Sequence, residues 1–254
     1  MRMTTLRHRL PLLVLCLAFA GCGHQATKET NNSLGLDAEN SPGDLYVAMA
    51  AEYYRLGQLE PALRRAEQAI GEDPKNPRAH YMIAVIYQQI GQVQRADESF
   101  KRALELSPNN SDIRNAYGTF HCSQNRYAEA DAEFAKALEN PLYSTPWVAM
   151  TNAGTCAASA GNRAKAETEY RRALNANPRF GPALVKMAEL EDRRGNAKGA
   201  KEYLDRFFQS NAPTPYALAL GIRTERKLGN KTSSATYEQV LRRNFPDAPE
   251  ILEL

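Results

Sequence analysis

The chain has 254 residues, a net charge of +3, 43% apolar and 24% charged residues, a balance that fits one or two soluble domains and excludes a membrane-spanning enzyme, a collagen and a low-complexity chain. Four Cys and four His are too few for a disulfide scaffold and leave little material for a metal cage. So small a positive excess makes no electrostatic case for nucleic acid.

The N-terminus reads as a targeting segment. Arg2, Arg7, His8 and Arg9 form a positive start, and Leu10 to Ala20 is an almost unbroken apolar run, far short of the ~20 residues a bilayer-spanning helix requires. It ends in Leu17-Ala18-Phe19-Ala20-Gly21-Cys22. This resembles a bacterial lipobox, in which small residues precede a thiol that takes a diacylglycerol, with Phe19 where an aliphatic residue is more usual. An ordinary secretory leader with an incidental Cys is the alternative; Cys16, preceded by Leu15, lacks the context altogether.

The lipobox makes residues 1–21 a lipoprotein signal peptide and Cys22 the lipidated first residue, held by acyl chains at about 0.8 kcal/mol per buried methylene. Gly23 in place of Asp follows the sorting pattern of lipoproteins on the periplasmic face of the outer membrane. Cleavage removes three Arg and no acid, leaving 29 basic against 29 acidic residues. Residues 22–42 form a polar stretch of Asn, Thr, Ser and Gly, expected to act as a flexible tether with a reach of roughly 25 Å.

From residue 43 a period sets in. Gly57, Gly91, Gly161, Gly195 and Gly229 recur at 34 or about twice that, with Asn125 in the missing slot; Asn, like Gly, tolerates a left-handed turn. Five residues on come Ala62, Ala96, Ala130, Ala166, Ala200 and Ser234, and Pro74, Pro108, Pro178 and Pro246 stand 17 after the turn, where one helix must stop before the next begins. Leu63, Ala66, Ala69 and Ile70, and again Ala96, Phe100, Ala103 and Leu104, recur at three and four along one helix face.

These residues resemble the tetratricopeptide repeat, a 34-residue helix–turn–helix unit. Ile83-Ala84, Tyr87, Gly91, Ala96, Phe100, Ala103-Leu104 and Pro108 fit its pattern throughout one unit. The expected fold is all-α, a right-handed superhelix of about six repeats spanning 43–254 and starting near 43, 77, 111, 147, 181 and 215. Two extra residues fall in the turn-rich connection Asn140 to Pro146, and Ile222 and Ser234 mark the last unit as a degenerate cap.

Phosphate-loop, zinc-protease, C-x-x-C and G-x-S-x-G signatures are all absent from the sequence, so no enzyme, cofactor, metal or small-molecule substrate is expected. His121 beside Cys122 could form a thiolate–base pair, but the two lie about 100° apart on a helix, and a packed side chain is the preferred reading. Glu129, Asp131 and Glu133 are expected to face water. Cys122 and Cys156 occupy positions 12 and 10 of adjacent first helices; two buried free thiols are preferred, with a disulfide as the alternative.

The face lined by the first helices is expected to carry function as a peptide groove. Its candidate partner-binding residues are Val47, Ala51, Tyr54, Tyr81, Val85 and Gln88 at an apolar end, then Asn115 and Asn152 in a polar, uncharged middle, with Lys186, Arg193 and Arg194 beyond. Such a gradient suits an amphipathic segment with acidic flanks; the alternative is a solvated helix face.

Leader, lipobox, tether and repeats, with Arg114-Asn115-Ala116-Tyr117-Gly118-Thr119-Phe120 and Leu218-Ala219-Leu220-Gly221-Ile222-Arg223, resemble the type IV pilus biogenesis lipoprotein family called PilF or PilW. The resemblance implies a pilotin, which binds pilus secretin subunits and promotes their outer-membrane localisation and multimerisation, catalysing nothing and anchored through its N-terminal lipid. A repeat scaffold for another envelope machine, serving outer-membrane protein assembly or cell-wall enzymes, is the alternative, and an enzyme using His121 a more distant one.

Overall fold

The computed structural model describes residues 42–253. The expected signal peptide, the lipidated Cys22 and the tether up to residue 41 lie outside the described residues. Within them, twelve α-helices follow one another without a strand: α1 (Pro42–Arg55), α2 (Leu59–Glu72), α3 (Pro77–Gln89), α4 (Val93–Leu106), α5 (Ser111–Ser123), α6 (Tyr127–Glu139), α7 (Pro146–Ser159), α8 (Arg163–Ala176), α9 (Gly181–Arg193), α10 (Ala197–Ser210), α11 (Pro215–Lys227) and α12 (Lys231–Asn244). A 3-10 turn, Pro249–Glu253, ends them. Consecutive helices pair as six hairpins, each packed on the next, and the first helices start within a residue of the six expected positions.

Local chemistry sets these boundaries. The Asn76 side chain accepts from the N–H groups of Arg78 and Ala79, and Asn110 and Thr214 cap α5 and α11 in the same way, satisfying donors that a helix start leaves open. At the far end of each first helix the backbone turns left-handed, at Gly91 (φ 76°) and its glycine counterparts and at Asn125 (φ 59°). That turn lets the Gln92 N–H reach the Tyr87 carbonyl at 2.8 Å and Arg126 reach His121 at 2.9 Å, the Schellman closure that a left-handed residue makes possible.

The second, third and fourth hairpins are each held by a small residue facing a large one. Ala84, Gly118 and Gly154 lie on the first helix opposite Phe100, Phe134 and Tyr170 of the second, and all three rings are buried. A β-carbon on Gly118 would stand 2.9 Å from the Phe134 ring; one on Gly154 would stand 2.6 Å from Tyr170 and 3.1 Å from the Ala166 carbonyl oxygen. The six-fold Ala/Ser series, 34 residues apart except for 36 between Ala130 and Ala166, is likewise buried from Ala62 to Ser234, so helix backbones approach closely along the whole stack. In the last hairpin the sizes exchange. Glu238 replaces the large residue and turns out to Arg226 and Arg242, while Ile222 joins Leu218 and Leu241 in a terminal cluster covered by Phe245, Ala248 and Ile251.

Ion pairs cross every boundary between hairpins: Arg78–Asp44 at 3.4 Å, Arg126–Asp97 at 3.2 Å, Lys165–Asp131 at 2.6 Å, Arg194–Glu167, and Lys201–Glu225 at 2.7 Å. Of the acids expected to face water, Glu133 does not: it is buried against Arg114 at 2.6 Å and Lys136 at 2.9 Å. Asp131 pairs across a boundary with its side chain still 42% exposed, and Glu129 is exposed. Glu225 is the most deeply buried of these acids. Burial raises its pKa, but hydrogen bonds from Lys201 and Asn230 outweigh that and hold it below the usual glutamate value. The connection after α6 also does more than turn. It buries Tyr143 against Ala137 and Ala149 between the third and fourth hairpins, and leaves Leu142 87% exposed.

Cys122 and Cys156 are joined as a disulfide, with Cα atoms 5.7 Å apart, which corrects the preference for free thiols. Positions 12 and 10 differ by about 200° around a helix. Two successive helices that pack side by side meet through opposite faces, so that difference aims the two sulfurs at each other.

Two variants test this packing. Gly154→Ala should cost about 1–3 kcal/mol through overpacking against Tyr170 and the Ala166 carbonyl, whereas Gly71→Ala, which meets no atom within 4 Å, should not destabilise; urea denaturation monitored at 222 nm compares them. The disulfide closes a loop of 34 residues, so reduction should cost about 3–4 kcal/mol by the loop-entropy relation. Dithiothreitol should lower the melting temperature of the native protein and leave a Cys122→Ser/Cys156→Ser variant unmoved.

Candidate binding groove

The first helices α1, α3, α5, α7, α9 and α11 present equivalent positions side by side, and their outward side chains make the groove. At the N-terminal end, Val47, Ala51 and Tyr81 are corrected from groove to core: Tyr81 is 6% exposed and Val47 2%. Tyr81 packs beside Phe100, and Val47 and Ala51 belong to the same buried cluster. Burial, with the Asp112 charge adding to it, holds the Tyr81 phenol protonated far above its ordinary pKa. Tyr54, Val85 and Gln88 remain half-buried and offer surface. The Tyr54 phenol is also raised by burial, so the surface it offers is a neutral ring with a hydrogen-bonding tip.

The middle of the groove is polar and largely self-satisfied. Asn152 Nδ2 donates to Asn115 Oδ1 at 3.0 Å across the α5–α7 boundary, bringing together the two amides singled out from sequence. Along α7 the hydroxyls of Thr151, Thr155 and Ser159 each donate to the carbonyl four residues back, at 2.7, 2.9 and 3.2 Å. Their protons are spent within the helix, so what they offer outward is acceptor lone pairs. The disulfide pins α5 to α7 beside this row.

His121 does not form a catalytic pair. The Cys122 sulfur is bonded to Cys156 and has no thiolate to offer. The imidazole is 5% exposed and packed at a tilt against Tyr117, with ring centroids 4.0 Å apart. Burial first, and the Arg126 charge second, push its pKa below the usual histidine value. Among the described residues, no cluster of three or more His, Cys, Asp or Glu is placed to hold a metal ion, and no helix is long and apolar enough to cross a membrane.

A further concavity of the groove lies at the other end. A recess of about 530 Å³ between α7, α9 and α11 is lined by Thr151, Asn152, Val185, Lys186, Phe207 and Tyr216, and a smaller one of about 180 Å³ beside it is lined by Thr155, Tyr170, Glu189 and Arg193. Of the sequence-derived groove residues, Asn152, Lys186 and Arg193 stand here, while Arg194 turns away to Glu167 and Glu191. Val185, Glu189 and Tyr216 were missed, although positions 5, 9 and 2 of the same register hold them. Burial above all, then the Glu189 charge and hydrogen bond, push the Tyr216 phenol up to about 12.

Tetratricopeptide-repeat family models match residues 47–111 and 99–132. The chain is 28% identical over 243 residues, 95% of both chains, to the type IV pilus assembly protein PilF of Pseudomonas aeruginosa. Among solved structures it resembles PilW, described as a widely conserved type IV pilus biogenesis factor, at 34% identity and a TM-score of 0.72, covering 85% of this chain and 99% of PilW. The Pseudomonas aeruginosa PilF structure is 27% identical with a TM-score of 0.69, covering 83% and 95%. Repeat register, six-hairpin architecture and likeness along nearly the full length of these proteins agree with the resemblance read from the motifs: the chain belongs to the PilF/PilW family of tetratricopeptide-repeat proteins.

Proposed function

We propose that this protein is a pilotin for type IV pilus biogenesis: a lipoprotein of the outer membrane, anchored on its periplasmic face through Cys22, that binds pilus secretin subunits and promotes their localisation and multimerisation there. The observation that carries this reading is likeness over 95% of both chains to a protein named for type IV pilus assembly. The groove supports it physically, since half-buried Tyr54 and Val85 at one end and the recess at the other suit an extended or helical segment of a partner. Lipid would supply location and the stack recognition: tethering raises the effective concentration of the groove at the membrane. No chemical reaction is part of this role.

Because Val47, Ala51 and Tyr81 are core, the test belongs on residues that offer surface. Tyr54→Asp combined with Val85→Asp should abolish co-purification of the secretin while circular dichroism retains the native helicity; undiminished co-purification would sink the assignment of this end. Cys22→Ser should leave a protein that still binds secretin subunits but no longer places multimers in the outer membrane. Normal multimers there in that variant would rule out the lipid anchor as the mechanism.

A further inference from the structure

The motif Leu218-Ala219-Leu220-Gly221-Ile222-Arg223 departs from the ordinary repeat, and the core absorbs all but its last residue: Leu218, Ala219, Leu220 and Ile222 are buried. Arg223 is left on α11 at position 9, the register slot through which Thr155 and Glu189 reach the groove on α7 and α9. It is half-buried, and among the described residues it has no ion pair. Its charge reaches the Tyr216 hydroxyl at the rim of the larger recess, together with that of Arg193.

The acids of this region are already engaged. Glu189 is held by Lys186 at 3.1 Å, by Arg193 and by the Tyr216 hydroxyl. Asp192, one turn further on, is taken by Lys227 at 2.6 Å. Around the recess, Lys186 and Arg193 thus share the carboxylate of Glu189, and Arg223 is left without one among the described residues. A guanidinium half removed from water without a counter-ion is costly, and a bidentate carboxylate is the group that best satisfies it. Beside it, Val185, Phe207 and Tyr216 give the recess an apolar floor that is large enough for a bulky side chain.

We propose that the fifth and sixth repeats form a docking site for an acidic peptide segment, one apolar side chain of which enters the recess between α9 and α11 while flanking carboxylates meet Arg223, Arg193 and Lys186. The site is separate from the apolar end around Tyr54 and Val85. It rests on the groove being a peptide-binding surface, and it holds whether or not the partner is a secretin. Apolar burial supplies affinity here and the cations supply direction, because a carboxylate on the wrong side of the anchor meets the uncharged hydroxyl row of α7 instead.

The test uses the full chain in mild detergent and three fluorescent peptides sharing a Leu–Phe core, flanked by Glu, by Gln or by Lys, with binding read by anisotropy. The Glu peptide should bind about fivefold or more tighter than its Gln analogue, the Lys peptide weaker than both, and the preference should shrink as salt is raised. Arg223→Gln should remove most of the Glu preference without changing the melting curve, Arg223→Lys should retain part of it, and Val185→Asp should weaken all three peptides. Equal binding of the Glu and Gln peptides, binding by neither, or a Glu preference that survives Arg223→Gln combined with Arg193→Gln would overturn the proposal. No secretin is present in this assay, so its failure leaves the co-purification result standing, and loss of co-purification says nothing against a peptide preference centred on Arg223.

Discussion

Close approach of two helix backbones, repeated at each hairpin, is the constraint on which the rest of the molecule depends. Where Gly154 meets Tyr170 and Gly118 meets Phe134, no β-carbon fits, so the ring of the second helix lies on the backbone of the first. Full burial of such a ring contributes on the order of 1.5–3 kcal/mol, and van der Waals contact at this density tolerates little change of volume. The last hairpin shows the same constraint from the other side. Once Glu238 gives up the large position, Ile222 takes over the volume, and Phe245, Ala248 and Ile251 cover the end that a further repeat would have covered.

Close packing within hairpins leaves the junctions between them to be specified by other means. Each boundary carries an ion pair, and several of the acids are largely removed from water, Glu225 most of all at 2% exposed. Breaking such a pair strands a buried charge, so these contacts contribute more to the angle between repeats than a surface pair could. The middle boundary is the most heavily tied. It holds the Cys122–Cys156 disulfide, the Asn115–Asn152 amide bond, the Lys165–Asp131 pair and the buried Tyr143 of the inserted connection. The insertion is therefore compensated by added packing, and the two halves of the groove keep one register across it.

The groove inherits its chemistry from this arrangement. Side chains at equivalent positions of successive first helices line up, so a change of residue type along the chain becomes a change of polarity along the surface: half-buried Tyr54 and Val85 first, then hydroxyls whose protons are spent on their own helix, then a recess rimmed by cations. A partner would meet these in order. Membership of the PilF/PilW family fits a protein whose first-helix face grades in polarity along the stack, and the Cys122 beside His121 is closed by a disulfide.

The architecture was legible in the sequence because it depends on local and periodic features. Left-handed turns at Gly or Asn every 34 residues, or 36 across the inserted connection, small residues five later and proline before each new hairpin determine where helices begin, end and approach. Family membership followed from motifs laid over that register. What only the tertiary structure decided were the facts that need a neighbour. Register alone assigned Tyr81, Val47 and Ala51 to the groove, whereas packing into the first buried cluster placed them in the core. Charge alone sent Glu133 to water, whereas Arg114, distant in sequence, holds it in a buried pair. The two cysteines became a disulfide because adjacent helices meet through opposite faces, and the recess beneath Tyr216 exists only where three helices and the end of α10 converge. A period in the sequence specifies which positions are equivalent; the angle at which one helix lies on the next decides what each of those positions touches.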